Sequence, residues 1–323
     1  MSPGSRQKNT IYHVFSPVSR SALPRPPALR SAPSAFASLP RLAPGTETVE
    51  TVAAGSDAMS APRVVSLAPS ATATVAALGA ADRFVGVTAH CDLPDGSAAG
   101  SAHGPDAPTA VGGWLNPDLD RVAALDPDVV LTSDALQADL ATDCRDRGFD
   151  VAHREPATLD DALDGFAARG SDVGRPDAGE RLAADARDRL DRIAERVAGR
   201  PRPTVYCEEW SDPPMAAGNW VPDAVRAAGG RYPFVDPGER SREVDPAAVE
   251  RADPDRVVVH VCGHGDRVDP AGVAERDWID APVSVVDDSL LNQPSPALID
   301  GVERLARLLH PEAFSAAADD ART

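Results

Sequence analysis

The sequence predicts an α/β protein built from two similar α/β lobes bridged by one long rigid α-helix. Three observations lead there. Short apolar runs alternate with helix-like pieces along the body of the chain, the pattern of strands joined by crossover helices. The order of pieces recurs in the second half, where Asp253-Pro254-Asp255-Arg256-Val257-Val258 echoes Asp126-Pro127-Asp128-Val129-Val130-Leu131, as an internal duplication would. Between the halves, Leu182, Ala186, Leu190, Ile193 and Val197 recur at three- and four-residue steps, which is one face of a helix over 176–199. Arg and Asp/Glu on the opposite face support it by ion pairs, and such a helix spans about 33 Å.

The elements come in order. Residues 64–67 read as a strand, 70–78 as a helix stopped by Gly79, and 84–87 as the next strand. A loop runs from His90 to Trp114. Asn116-Pro117-Asp118 then supplies an N-cap, a proline for the first turn and an acid for the positive helix end. That helix ends near Leu125, and strand 129–132, helix 134–148 and strand 150–153 complete the first lobe. In the second, strand 204–208 leads into a Pro/Gly-rich loop, a helix over 222–228 closed by Gly229-Gly230, and a helix opened by Asp245-Pro246. The expected organisation is a disordered extension over 1–62, lobes over 63–171 and 202–311, a linker helix over 172–201 and a disordered tail over 312–323.

The 323 residues carry 32 basic and 50 acidic side chains, net −18, and Lys8 is the one lysine. Nucleic acid is excluded as a partner, because phosphate binding needs a basic footprint. An Asp-rich, Lys-poor surface suits concentrated salt, where repulsion is screened within a few Å and the acids keep the protein soluble; a GC-rich genome is the other source of such a composition. No stretch reaches the length of apolar sequence that spans a bilayer. Four cysteines show no disulfide framework, and Cys144 and Cys207 fall in a helix and a strand as buried small hydrophobes.

Ligands of α/β lobes sit at the carboxyl ends of the strands, so the chemistry is sought in those loops. In the first lobe they hold Ser70, His90, Trp114 and Asp134; in the second, Trp210, Trp220, Cys262 and His264, and Ser289, Leu290, Leu291, Asn292 and Gln293. Three of the four tryptophans fall in Gly/Pro-rich loops, where an indole offers a flat wall for a flat ligand. His90-Cys91 with Cys262-Gly263-His264 is a weak metal set, since adjacent ligands fit one tetrahedral ion poorly and the spacing is not CxxC; no metal site is expected. There is no Gly-x-Ser-x-Gly elbow, phosphate loop or GxGxxG, and the adjacent acids Glu208-Glu209 and Asp287-Asp288 read as solvated. No enzyme activity and no catalytic cofactor are expected.

Together these residues resemble the cobalamin-binding proteins among the iron-siderophore and cobalamin class of ABC-importer substrate-binding proteins. The likeness runs from about Arg63 to Pro311. It rests on Arg63-Val64-Val65-Ser66-Leu67-Ala68-Pro69-Ser70-Ala71-Thr72, Cys91-Asp92-Leu93-Pro94, Glu209-Trp210-Ser211-Asp212-Pro213-Pro214, Gly218-Asn219-Trp220 and Pro294-Ser295-Pro296. It implies a helical-backbone binding-protein fold, a largely preformed cleft and a corrinoid (cobalamin) as ligand. It also implies a monomer and an ABC permease as partner. His90 stands where the family usually has an aromatic on the corrin, and Trp114 where a tryptophan is usual. Residues 289–293 match a loop that meets the corrin's side groups, here without its usual charges. Of the two acids with which the family docks on its permease, the first matches Asp120, while the second falls near Ala247, between Asp245 and Glu250.

The reading is therefore a corrinoid held by Trp114, Trp210, Trp220 and His90, with Ser70, Asp134 and Asn292 orienting its amides. The alternatives are a ferric siderophore or haem, disfavoured because the cleft loops hold no arginine, and a cytosolic corrinoid-handling protein without a transporter. By resemblance the protein works outside the cell membrane. As written, the chain shows no secretory signal or lipoprotein cysteine. Residues 1–58 carry six basic against three acidic side chains, unlike the body, and Met59 stands just before the first strand. Met59 is thus the expected natural start. Peptide mapping of the protein from its native host is expected to recover nothing from residues 1–58; one such peptide overturns this.

Overall fold

The computed structural model describes residues 61–93 and 107–315. Of the disorder expected over 1–62 and 312–323, residues 1–60 and 316–323, together with Pro94 of the first-lobe loop, lie outside the described residues. The first lobe is a parallel sheet of β1 (Val64–Ser66), β2 (Phe84–Val87), β3 (Thr109–Ala110), β4 (Val129–Ser133) and β5 (Val151–Arg154), in the order β3-β2-β1-β4-β5. Helices α1 (Pro69–Ala77), α2 (Leu119–Ala124) and α3 (Ala138–Asp146) belong to this lobe. The helix expected over 134–148 is shorter at its start, because Asp134 takes φ +76° and a 3-10 turn over Ala135–Gln137 precedes α3. Apolar side chains fill two clusters, one around Val64, Val75 and Leu131, the other around Val65, Leu67 and Val130. Adjacent residues of β1 point to opposite faces, so the two clusters are the two covered faces of one parallel sheet.

The second lobe has β6 (Val205–Ser211), β7 (Pro214–Ala216), β8 (Arg242–Glu243), β9 (Arg256–Val259) and β10 (Val283–Val285), in the order β10-β9-β6-β7-β8. Strands β6, β9 and β10 are parallel, while β7 and β8 are antiparallel additions. The loop expected after residue 208 is thus largely strand: β6 runs on to Ser211 and turns back as β7. Around this sheet lie α6 (Val221–Ala227), α7 (Pro246–Ala252), α8 (Pro270–Ala274), α9 (Ala297–Leu309) and α10 (Pro311–Ser315). The last departs from the tail expected to be disordered from residue 312, because Phe314 is buried and two arginines, Arg196 and Arg307, lie over its ring.

The two Asp-Pro-Asp echoes do the same work in each lobe. Asp126 and Asp253 both take a left-handed conformation, φ +46° and +45°. The carboxylate two residues on then accepts the backbone N–H that starts the first strand: Asp128 from Arg63 at 2.7 Å and Asp255 from Thr204 at 2.6 Å. The repeated sequence is a repeated strand-start clasp.

The long helix is α5 (Pro176–Val197). It does not bridge alone, because α4 (Leu159–Asp172) lies along it. At its start α4 gives Leu159, Leu163 and Phe166 to the core of the second lobe. At its end, buried Arg169 donates to the carbonyls of Thr132 and Ala152 in the first lobe, and Asp172 pairs with Arg154 at 2.6 Å. Helix α5 returns, from Ala178 and Leu182 on the first core to Ile193 and Val197 on the second, where Arg189 reaches Asp300 and Glu303 of α9. The two helices touch through Gly170 and Gly179: a Cβ on Gly170 would lie 2.7 Å from Gly179 Cα and 2.7 Å from the Arg175 carbonyl oxygen.

Gly170→Ala is therefore expected to destabilise the protein by about 2–4 kcal/mol, since backbone is the obstacle and cannot step aside. Gly165→Ala, in the same helix with nothing within 4 Å of its Cβ position, is expected to be neutral or to stabilise by up to about 1 kcal/mol. Denaturant midpoints check both; equal effects sink the account.

Candidate ligand-binding cleft

In the first lobe the strand order reverses between β1 and β4, and ligands of open α/β sheets lie outside the strand ends at such a switch point. Ser70 and Asp134 come directly after those two strands. Ser70 is buried in the first turn of α1 and lines a hollow of about 320 Å³ with Ser133, Arg154, Glu155 and Phe166, to which the second lobe adds Pro294. Asp134 is half-buried, and its carboxylate accepts the Leu136 N–H at 2.8 Å. Burial pushes its carboxyl up from the usual range, against the pull of that hydrogen bond and of Arg240 in the second lobe. Arg154 lines that hollow, so an arginine reaches the site, contrary to the expectation from the loops alone. Arg240, which acts on Asp134, comes from the segment between α6 and β8, which sequence spacing did not link to these loops.

One buried side chain organises the first-lobe loops. Gln137 is fully buried. Its amide nitrogen donates to the carbonyls of Leu67 and Trp114, at 2.9 and 2.8 Å, and its oxygen accepts the Ser133 N–H at 2.8 Å. It therefore joins the end of β1, the Trp114 loop and the end of β4. Nothing in the local sequence distinguished it from a surface glutamine. Trp114, in the loop so held, is half-buried, and Leu115 beside it is 43% exposed. His90 is exposed, whereas Cys91 is buried and takes hydrogen bonds with Thr72 and Thr88. The two side chains therefore do not converge on one ion. Asp120, on α2, is 88% exposed and pairs with Arg147 at 2.6 Å.

In the second lobe the expected contacts part company. Trp210 is half-buried and its indole N–H donates to the Asp212 carbonyl at 2.9 Å. Trp220 is a core residue instead of a cleft wall: it is buried, and its indole N–H donates to the Leu291 carbonyl at 2.7 Å. Leu291 is fully buried as well, and Leu290 packs on the same core. Both expectations failed because a loop beside a sheet turned its apolar side chains inward, and spacing does not report that direction. Ser289 is exposed and bonded to Asp287, while Gln293 is half-buried. Asn292 uses both ends of its amide on His260, donating to the backbone carbonyl at 3.0 Å and accepting from ring Nδ1. His260 is completely buried, with Nε2 unpaired, and burial lowers its pKa to about 4. Cys262 is exposed in the loop after β9, and Asp288 holds that loop through the N–H groups of Gly263 and Gly265. Cys144 and Cys207 are buried, as expected.

Of the adjacent acids read as solvated, Glu208 is fully buried and ion-paired. Burial pushes Glu209 up to about 7, with Asp134 raising it further and a hydrogen bond with Ser241 opposing. Acids from the two lobes, Asp134 and Glu209, thus act on one another, and Arg240 acts on Asp134.

The profile of the periplasmic binding protein family matches residues 64–280. A cobalamin-binding protein of Halobacterium salinarum is 28% identical over 77% of this chain and 69% of its own length. A vitamin B12-binding protein of Vibrio cholerae is 26% identical over 77% of this chain and 89% of its own. Among solved structures, the periplasmic vitamin B12 binding protein BtuF of Vibrio cholerae superposes with a TM-score of 0.62 at 23% identity, covering 79% of this chain and 98% of that one. The periplasmic heme-binding protein RhuT of Roseiflexus superposes with a TM-score of 0.65 at 21% identity, covering 78% and 99%. The fold is thus shared by binders of different tetrapyrroles.

The two shifted groups give opposite pH signatures. His260, neutral in the fold, contributes stability in full above its ordinary 6.5 and loses it as pH falls toward about 4. Glu209, held protonated, contributes in full below its ordinary 4.5 and loses it as pH rises through about 7. Glu209→Gln is therefore expected to match the parent protein near the ordinary carboxyl pKa and to become more stable than it by about 1–3 kcal/mol above neutrality. Thermal melts across this range check it; a pH-independent difference overturns the assignment.

Proposed function

The chain belongs to the periplasmic binding protein family, and from that premise we propose that it captures a corrinoid between its two lobes for delivery to an ABC importer. Proteins of this family bind a solute without transforming it, so the corrinoid is cargo and no catalytic cofactor is involved. The relatives over most of the chain carry cobalamin or vitamin B12 names, while the haem-binding neighbour shares the fold.

The observation that carries the reading is the apolar wall left uncovered at the strand ends: half-buried Trp114, exposed Leu115 and half-buried Trp210. Buried area of this kind contributes about 25 cal/mol per Å² of apolar surface before ordering costs. His90 stands free to meet the face or the amides of the ring. Ser70, Asp134 and Gln293 offer polar groups at the edge, where amide donors suit an acidic rim better than carboxylates do. Trp220, Leu290, Leu291 and Asn292 support the second-lobe wall from beneath. For delivery, Asp120 and the acids around Ala247 form the docking face, with Arg147 released from Asp120 when a permease arginine replaces it.

Equilibrium dialysis of the full chain against cyanocobalamin is expected to give saturable one-to-one binding. Trp114→Ala should weaken it about 10–100-fold, the cost of removing a central aromatic anchor, with an unchanged melting temperature. Trp220→Ala should instead lower stability by about 3–5 kcal/mol. The proposal fails if cyanocobalamin does not bind, or if haem binds more tightly.

A further inference from the structure

Glu208 is a charged side chain with no exposed surface, placed in β6 one residue before the segment that carries Trp210. Removing a carboxylate from water costs several kcal/mol and is offset only when its lone pairs are used. Three donors use them. The Arg276 guanidinium donates at 2.7 Å, the Tyr206 hydroxyl at 3.1 Å and the Ser211 hydroxyl at 2.6 Å. Arg276 is itself braced, lying over the Trp278 ring at 5.2 Å, and Trp278 meets Tyr206 edge-on at 6.1 Å.

The third donor is the informative one. In a regular strand residues 208 and 211 face opposite sides, because side chains alternate. Pairing of β6 with β7 shifts register between Glu208 and Trp210, and such an irregularity re-aims the side chains beyond it. Ser211 thereby comes round to the Glu208 side. The indole of Trp210 is tied in turn to the residue after Ser211, through its hydrogen bond to the Asp212 carbonyl. A continuous set of contacts therefore runs from Arg276 through Glu208 and Ser211 to the turn that orients Trp210.

We propose that Glu208 is a positioning residue for the ligand wall, fixing the Trp210 indole through the Ser211 hydroxyl. This rests on the reading of Trp210 as a wall of the corrinoid cleft, but the positioning has a consequence independent of ligand. In protein labelled with 5-fluorotryptophan, the resonance assigned to position 210 by Trp210→Phe is expected to be a single line. Ser211→Ala, which removes only a hydroxyl, should shift or broaden that line and leave the Trp114 line in place. Ser211→Ala should also weaken cyanocobalamin binding about 5–10-fold while changing it less than about 2-fold in a Trp210→Ala background, since residues acting through one another are non-additive. Glu208→Gln should show the same pattern.

An unchanged Trp210 line in Ser211→Ala overturns the proposal, as does the same loss of affinity in both backgrounds. If the line responds but cyanocobalamin does not bind the parent protein, the positioning stands and the ligand assignment fails.

Discussion

The contact between Gly170 and Gly179 sets the geometry on which the cleft depends. Two antiparallel helices that approach backbone to backbone have little freedom to slide or splay, because no side chain lies between them to change rotamer. Each is anchored in both lobes. Arg169 and Asp172 bolt the end of α4 to the first sheet, and Leu159, Leu163 and Phe166 pack its start into the second core. Helix α5 repeats the bridge in the opposite direction. A single helix resists stretching but bends gently; a packed pair resists bending as well. The spacing between the two sets of strand ends is therefore built into the fold, and the ligand does not have to supply the energy for a large closure. For the proposed corrinoid, a big rigid macrocycle, this would matter, because a preformed cleft lowers the ordering cost that otherwise consumes the energy of burial.

Within each lobe the same problem has a polar solution. Loops at strand ends have backbone groups that no sheet partner satisfies. Gln137 answers three of them at once in the first lobe. In the second lobe Asn292 and Glu208 hold the loops after β9 and β6. Gln137 and Glu208 are buried and Asn292 is half-buried, so their hydrogen bonds meet little competition from solvent, and removing one leaves several groups unpaired. Loops that would otherwise move become walls.

The two lobes, the long helix and most of the first-lobe strands were legible because each is a periodic signal carried by several residues together. The Asp-Pro-Asp echoes were legible for a stronger reason: a left-handed residue followed by a carboxylate that caps a neighbouring strand needs those residue types. The features that stayed hidden depended on direction. Trp220 and Trp210 have similar Gly/Pro-rich surroundings, yet one indole points into the core and the other remains half-exposed. Asn292 reads as a free amide until His260 is placed beneath it. Arg240 acts on Asp134 from a segment far from any parallel strand end. The role of α4 was missed because its apolar face is divided between two cores, which no single periodicity records.

The charge of the chain bears differently on capture and on delivery. At net −18, ions in solution weaken every exposed attraction, and the Arg147–Asp120 pair is of that kind. Any docking that exchanges one arginine for another at Asp120 is then tuned by salt. In the proposed role the wall at Trp114, Leu115 and Trp210 would act by removing apolar surface from water, which salt does not screen, and its supports at Gln137 and Glu208 lie beneath the surface where ions do not reach. A protein arranged this way would keep the proposed ligand through changes of ionic strength that alter the proposed docking. The proposed capture and hand-over would thus rest on different interactions on different faces of the same rigid frame.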